Sequence, residues 1–221
     1  MKIAATSDMH GLLERAPFFP EADVLILAGD LVENYAHERQ DVIPQRFALQ
    51  ALDRFIAALP YKYRIVVAGN HDWALFFDDG HKIFDSAIYL QDEEVILDGV
   101  RFYGMPWVPN YYNWAFMYPE SDPEEGYPEA RDTCMDIPAG IDVLITHGPP
   151  LGILDRTRSG RLAGCPVLAE HVLQRVKPKL HVFGHIHEGY GMLNMASTTF
   201  ANVALCDRDY EPKNPIQVFT V

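Results

Sequence analysis

The hydrophobic positions of this chain fall into short, nearly unbroken runs. "KIAAT" (Lys2 to Thr6), "DVLILAG" (Asp23 to Gly29) and "YRIVVAG" (Tyr63 to Gly69) come first. "DVLITHG" (Asp142 to Gly148), "LHVFGH" (Leu180 to His185), "ANVAL" (Ala201 to Leu205) and "IQVFTV" (Ile216 to Val221) follow. Runs of this length with little alternation predict strands covered on both faces. "EVILDGVRFYG" (Glu94 to Gly104) predicts two strands turning at Asp98-Gly99, a hairpin dipeptide. Helical spacing appears between some runs. Residues 42–59 put Phe47, Ala51, Leu52, Phe55, Ile56 and Leu59 on one stripe. Residues 166–176 open at Pro166 and carry Val167, Leu168, Val172 and Val176. This alternation predicts an α/β fold with mixed sheets, in a single domain spanning residues 1–221. Residues 105–138 read as a long irregular excursion rich in Pro, Tyr, Trp and acids, and a loop that long is usually functional.

Composition narrows the chemistry. The net charge is −13, which repels long nucleic acid and attracts metal cations. No apolar run approaches a membrane span or a secretory leader, so the expected protein is soluble and cytoplasmic, with no membrane partner. Cys134, Cys165 and Cys206 are widely spaced and form no paired motif, so a zinc or disulfide framework is not expected. Cys165 and Cys206 read as small core residues.

The polar residues at the strand ends carry the functional signal. Asp8 and His10 follow the first run, Gly29-Asp30 the second, and Gly69-Asn70-His71-Asp72 the third. His147-Gly148 closes "DVLIT", and "GHIH" places His185 and His187 after "LHVF". In open α/β sheets, ligands bind beyond the carboxyl ends of the strands, so these side chains should converge on one edge. One such turn is explained by local turn chemistry. Five in one chain, mixing carboxylate with imidazole, point to divalent transition metals. The donors outnumber what one ion uses, so two ions are expected.

Taken together, "D-x-H" at 8–10, "GD" at 29–30, "GNHD" at 69–72, "HG" at 147–148 and "GHIH" at 184–187 resemble the five blocks of the calcineurin-like metallophosphoesterases. "FYGMPWVPNYYNWAF", "THGPPLGILD" and "PKLHVFGHIHEGYG" resemble a narrower group, the metallophosphoesterase-domain-containing proteins similar to class III cyclic-nucleotide phosphodiesterases. The resemblance implies two mixed β-sheets packed as a sandwich with helices outside. It implies that Asp8, His10 and His187 hold one ion, that Asn70, His147 and His185 hold the other, and that Asp30 bridges both. The ions would be Mn first, with Fe, Zn or Ni as alternatives. It implies a small phosphoester substrate, a nucleotide among the candidates, and cleavage of a phosphodiester by hydroxide held between the ions.

His71 then faces the substrate as the general acid. Its carboxylate partner would be Glu33, three residues after Asp30, or Asp72, which could instead cap the "WALFF" segment. Arg156, Arg158 and Arg161 either approach a phosphate or form a solvated loop. Trp107, Tyr111, Tyr112 and Trp114 either stack on a base or pack the long loop. The alternatives are a phosphomonoesterase, including a protein phosphatase, and a non-catalytic scaffold. "GDLVEN" lacks the Arg that protein phosphatases carry there, and a scaffold would be expected to lose ligands that this chain keeps.

Overall fold

The computed structural model describes residues 1–33, 42–118 and 128–221. Strands β1 (Lys2–Thr6), β2 (Val24–Ala28), β3 (Tyr63–Val67) and β4 (Ile88–Tyr89) run parallel in one sheet, closed by antiparallel β11 (Gln217–Thr220) in the order β11-β1-β2-β3-β4. The second sheet has the order β5-β6-β7-β8-β10-β9. Here β6 (Val100–Met105), β7 (Val143–Thr146), β8 (Leu180–Phe183) and β10 (Thr198–Asn202) are parallel, while β5 (Glu93–Leu97) and β9 (Gly191–Met195) are antiparallel edges. Among the described residues four α-helices accompany them: α1 (Ile43–Ala57), α2 (Trp73–Phe77), α3 (Pro128–Asp136) and α4 (Pro166–His171).

The alternation of side chains along each strand builds the layers. In β1, Ile3 and Ala5 turn toward the second sheet and join Val143, Ile145, Val182 and Ala201 in a central core. Ala4 turns the other way, into a core with Leu49, Ile56 and Leu75. On the far side, Tyr103, Leu144, Phe183 and Phe200 pack against Ala130, Cys134 and Leu168. The result is helix, sheet, sheet, helix, and the continuous apolar runs are explained because both faces of each sheet are covered. All three cysteines are buried and unpaired, as small core residues should be.

Three sequence expectations change. The inward face of α1 is shifted from the expected stripe: Ile56 is buried and Leu52, Phe55 and Leu59 pack against the core as expected, but Phe47 is 67% exposed, and Gln45, Leu49 and Asp53 are buried with Ile56. Two inward positions are polar because their side chains hold loop backbone. Gln45 Nε2 donates to His71 O at 2.8 Å, and Asp53 accepts from Asp85 N at 3.1 Å. Second, the excursion at 105–138 contains α3. Among its described side chains Ala130 and Cys134 are buried, followed by Ile137, a stripe too narrow to stand out among acids. Residues 119–127 of that excursion lie outside the described residues. Third, the strand expected at Ala201 to Leu205 begins earlier, as β10, and pairs with β9, which was not expected.

Candidate functional site

The parallel strands of both sheets end at the same rim, and their turns interlock. The loop after β1 runs beside the loop after β2, with Asp8 N donating to Gly29 O at 2.9 Å and His10 N to Asp30 O at 3.0 Å. Ser7 N donates to Val203 O at 3.0 Å and Leu205 N to Ser7 O at 2.8 Å, which ties the rim of one sheet to the other. Four donor residues leave their strands in the left-handed region: Asp8 at φ 50°, His10 at 44°, Asp30 at 51° and His185 at 67°. Such angles cost a non-glycine residue roughly 1–3 kcal/mol and concentrate at functional sites. They turn the chain sharply enough for neighbouring donors to face one space.

The donors meet in three overlapping groups: Asp8, His10 and His187; His10, Asp30 and His71; Asp30, His147 and His185, with candidate ligand atoms of each group within 4.8 Å of one another. Asp30 faces both ways. Its Oδ1 lies 3.4 Å from His147 Nε2, and its Oδ2 lies 4.0 Å from His10 Nε2 and 3.8 Å from His71 Nε2. Glycine keeps this space open. A Cβ on Gly69 would strike the Asp30 carboxylate and the His147 ring, and one on Gly184 would strike Asp8 and Ser7.

The imidazole hydrogen bonds say what the space is for. His147 Nδ1 lies 3.0 Å from Ala28 O, and its Nε2 lies 2.9 Å from Asn70 Oδ1. His187 Nδ1 lies 2.9 Å from Asp207 O, and its Nε2 lies 3.4 Å from Asp8 Oδ1. Each ring is tied through Nδ1 to a backbone carbonyl, so Nε2 points into a cluster of oxygens. A neutral imidazole has only one N–H. With Nδ1 donating, a neutral ring turns the Nε2 lone pair inward, where it can take a second proton, accept a hydrogen bond (His10 Nε2 lies 3.2 Å from His187 Nε2) or bind a metal ion. Backbone-anchored Nδ1 with inward Nε2 is also the arrangement that orients histidine toward a metal. The donor set therefore fits divalent ions, with carboxylate and amide oxygen beside imidazole nitrogen.

The electrostatics without metal agree. Burial works against the charge of His147 and His187, but Asp30 and Asp8 outweigh it and hold both imidazoles up at about 9. Burial would raise Asp8, yet its hydrogen bond to His187 and that residue's charge bring it down to about 2. Asp30, also opposed by burial, is held well below the usual carboxylate range by His147 and His71. Burial drives His10 down to about 4 and His185 to about 3, so these two stay neutral.

His71 reaches this space, held by its N–H donating to Asp30 Oδ1 at 2.8 Å. Its Nδ1 is buried and has no hydrogen-bond partner. Neither expected carboxylate partner occupies that position. Glu33 is exposed, and its backbone carbonyl accepts from Gln45 Nε2 at 3.1 Å. Asp72 is fully buried, and its carboxylate accepts from Leu31 N at 3.0 Å and Gly69 N at 2.7 Å, so it braces the turns after β2 and β3. It makes no side-chain cap on α2. Burial, then the charge of Asp30, push its carboxyl up to about 8 against the pull of those N–H groups.

The surrounding aromatic residues divide. Trp107 is packed inward, with Nε1 on Asp92 at 2.7 Å and its ring against Phe116 and Tyr118. Trp114 stands edge-on to His71 with centroids 4.8 Å apart, and Tyr112 lies against Trp114 at 5.5 Å. Tyr111 is 61% exposed at the outer end of that series. Arg156, Arg158 and Arg161 sit on an exposed turn, where Arg158 N donates to Glu188 Oε1 at 3.0 Å, one residue beyond His187.

Sequence reasoning missed Gln45, the Asp207 carbonyl and Tyr210, whose ring lies 4.8 Å from His10 and 5.0 Å from His187. Gln45 left a signal. It stands four residues before Leu49 on the inward face of a helix, where a polar residue is out of place. The other two left none, because a carbonyl has no sequence identity and a tyrosine in a polar loop is unremarked.

The model of the family described as Calcineurin-like phosphoesterase matches residues 1–189. Metallophosphoesterase domain-containing protein 1 of Homo sapiens is 35% identical over 240 residues, covering 97% of this chain and 69% of that protein. A UPF0046 protein of Caenorhabditis elegans is 35% identical over 233 residues, covering 94% of this chain and 76% of its own. A solved crystal structure overlays with a TM-score of 0.69 at 18% identity, covering 91% of this chain and 89% of that one, which speaks to the fold. Among the described residues no helix is long and apolar enough to cross a membrane. With a family match across most of its length and relatives at this identity, the chain belongs to the calcineurin-like phosphoesterase family.

Proposed function

We propose that this protein is a dinuclear-metal phosphodiesterase for small phosphodiesters, cyclic nucleotides among them. Asp8, His10 and His187 would hold one divalent ion, Asn70, His147 and His185 the other, and Asp30 would contact both. Bound there, two such ions supply charge stabilisation for the phosphate oxygens and an acidified water near neutral pH. The observation that carries the reading is the paired orientation of His147 and His187, each fixed through Nδ1 to a backbone carbonyl with Nε2 among oxygens.

The protein's own residues then have separable tasks. Asp30 and Asp8 carry the negative charge that holds cations in a buried space. The backbone carbonyls of Ala28 and Asp207 set which imidazole nitrogen faces inward. His71 lies against Asp30 with its Nδ1 unpaired, so an imidazolium there can pass a proton to a departing alkoxide. Trp114, edge-on to His71, shields that face from water. Glu33 and Asp72 act on His71 through the loop that carries it, with Gln45 joining the Glu33 and His71 carbonyls.

The test is turnover by metal-stripped protein reloaded separately with Mn, Zn, Ni or Mg. Bis(p-nitrophenyl) phosphate should be cleaved with higher kcat/KM than p-nitrophenyl phosphate, Mn giving the larger rate. Preference for the monoester would establish a phosphomonoesterase instead, and turnover of neither ester with metals bound would favour a scaffold.

A further inference from the structure

Between β10 and β11, residues 206–212 form a small loop that the family match, ending at residue 189, does not include. Asp207 organises it. Its N–H donates to Glu211 O at 2.8 Å, and its carbonyl accepts from Tyr210 N at 2.9 Å. Its carboxylate accepts from Asp209 N at 2.9 Å, Glu211 N at 3.1 Å and Lys213 Nζ at 2.7 Å. That same carbonyl accepts from His187 Nδ1 at 2.9 Å, so the loop is tied to the site. At its tip Tyr210 adopts φ 61°, a left-handed angle rare for an aromatic residue. The ring that this angle presents is 51% exposed, yet it lies against both His10 and His187, 60° and 66° out of their planes.

The ring contacts run in series from Trp114 to His71, then to His10 and then to Tyr210, with His10 4.8 Å from His71 and 4.8 Å from Tyr210. Trp114 flanks His71 and Tyr210 flanks His10 and His187. On the proposed reading, His71 protonates the leaving alcohol, so that alcohol lies toward Trp114. In an in-line displacement the retained ester group lies at the equator of the reacting phosphorus, beside the leaving oxygen, so the substituent that points away from Trp114 toward Tyr210 is an ester group in a diester and a bare oxygen in a monoester.

We infer that Tyr210 is a specificity-determining residue, an apolar wall that receives the retained ester group of a phosphodiester. This inference rests on the phosphodiesterase reading for the direction of the leaving group. Tyr210 presents an aromatic face beside His10 and His187. A ring of this kind suits a flat or apolar substituent.

The test uses two hydrolysis-proof anions on the metal-loaded protein, diphenylphosphinate with two aryl groups and phenylphosphonate with one. Calorimetry on Tyr210→Ala should show diphenylphosphinate weakened about 3- to 10-fold, the range one aromatic contact supplies. Phenylphosphonate should change by less than about 2-fold, Tyr210→Phe should restore binding, and metal content should be unchanged. Trp114→Ala should weaken both probes. Equal weakening of both by Tyr210→Ala, or loss of metal in that variant, would overturn the inference and make Tyr210 a support for His10 and His187. If the wild type turns over no diester while the Tyr210-dependent difference persists, the phosphodiesterase reading falls and the Tyr210 wall stands.

Discussion

The two sheet rims contribute unlike halves to the site. The first sheet supplies the oxygens, Asp8, Asp30 and Asn70, together with His10 and His71. The second supplies only imidazoles, His147, His185 and His187. They are braced differently too. On the first rim the supports are side chains: Asp72 on the Leu31 and Gly69 N–H groups, Gln45 on the His71 carbonyl, and Ser7 Oγ on Asp8 Oδ2 at 2.6 Å. On the second rim the imidazoles of His147 and His187 are anchored by main-chain carbonyls, Ala28 and Asp207, while one side chain, Asn202, braces the turn that carries His185 and His187 by donating Nδ2 to Ile186 O at 2.8 Å. The carboxylates come from the first rim, and the two imidazoles that they hold in the charged form come from the second. A ligand steadied by a side chain can be freed by one substitution, whereas an imidazole anchored by a carbonyl is freed only when its loop moves.

The sharpest break of this comparison is at Asp30, the one group facing both halves. Asp30→Ala should lose metal from both positions and fall to background activity, while His10→Ala should lose mainly one ion. Elemental analysis showing full occupancy in Asp30→Ala would remove it from the shared position.

His71 belongs to the first rim and is the proposed proton donor. His71→Ala should keep both metals and lose roughly 10²–10⁴-fold in kcat/KM on an alkyl diester or cyclic nucleotide. A nitrophenyl diester, whose leaving group departs unaided, should suffer far less. Equal losses on both would make His71 a phosphate-positioning group, and loss of a metal would make it a ligand, as its grouping with His10 and Asp30 permits.

Next come the supports. Gln45→Ala leaves the His71 carbonyl and the Ala74 N–H without their partner and should cost about 1–3 kcal/mol of stability. Ser7→Ala, which frees the Asp8 carboxylate, should weaken metal affinity by about 10–100-fold, the usual effect of freeing groups that orient ligands. Asp207→Ala keeps the carbonyl on His187 and should weaken metal less than Ser7→Ala does. The reverse order, measured by metal titration, would erase the distinction between the rims.

The smallest effect is in pH. Without metal, His147 and His187 have imidazoles raised from 6.5 to about 9. Their protonated forms stabilise the folded chain, fully so below the unfolded value of 6.5, and that contribution is lost as pH rises through 9. Chelator-treated protein should therefore show a falling Tm across that window, and added metal should flatten the profile by taking the place of the protons. A Tm that stays level without metal would show that these rings are neutral in the fold.

Much of this was legible in the chain. Continuous apolar runs ending in Asp, Asn or His beside Gly identified the strands and the polar residues that gather at one rim, because a strand covered on both faces must be apolar and its functional groups must wait for its end. The Asp98-Gly99 turn was legible because both residues need positive φ, which the structure shows at 47° and 82°. Local pattern cannot decide which side of a helix faces inward when that side is polar. Gln45 and Asp53 are buried only because distant loops bring backbone groups to them. Nor could it assign Asp72, whose neighbours Leu31 and Val32 lie some forty residues away in the chain and beside it in space. The sequence determined which atoms could bind metal. Tertiary structure decided which nitrogen of each histidine faces inward, what lies across from His71, and that Tyr210 stands at the site, because those depend on carbonyls and ring positions brought together by folding.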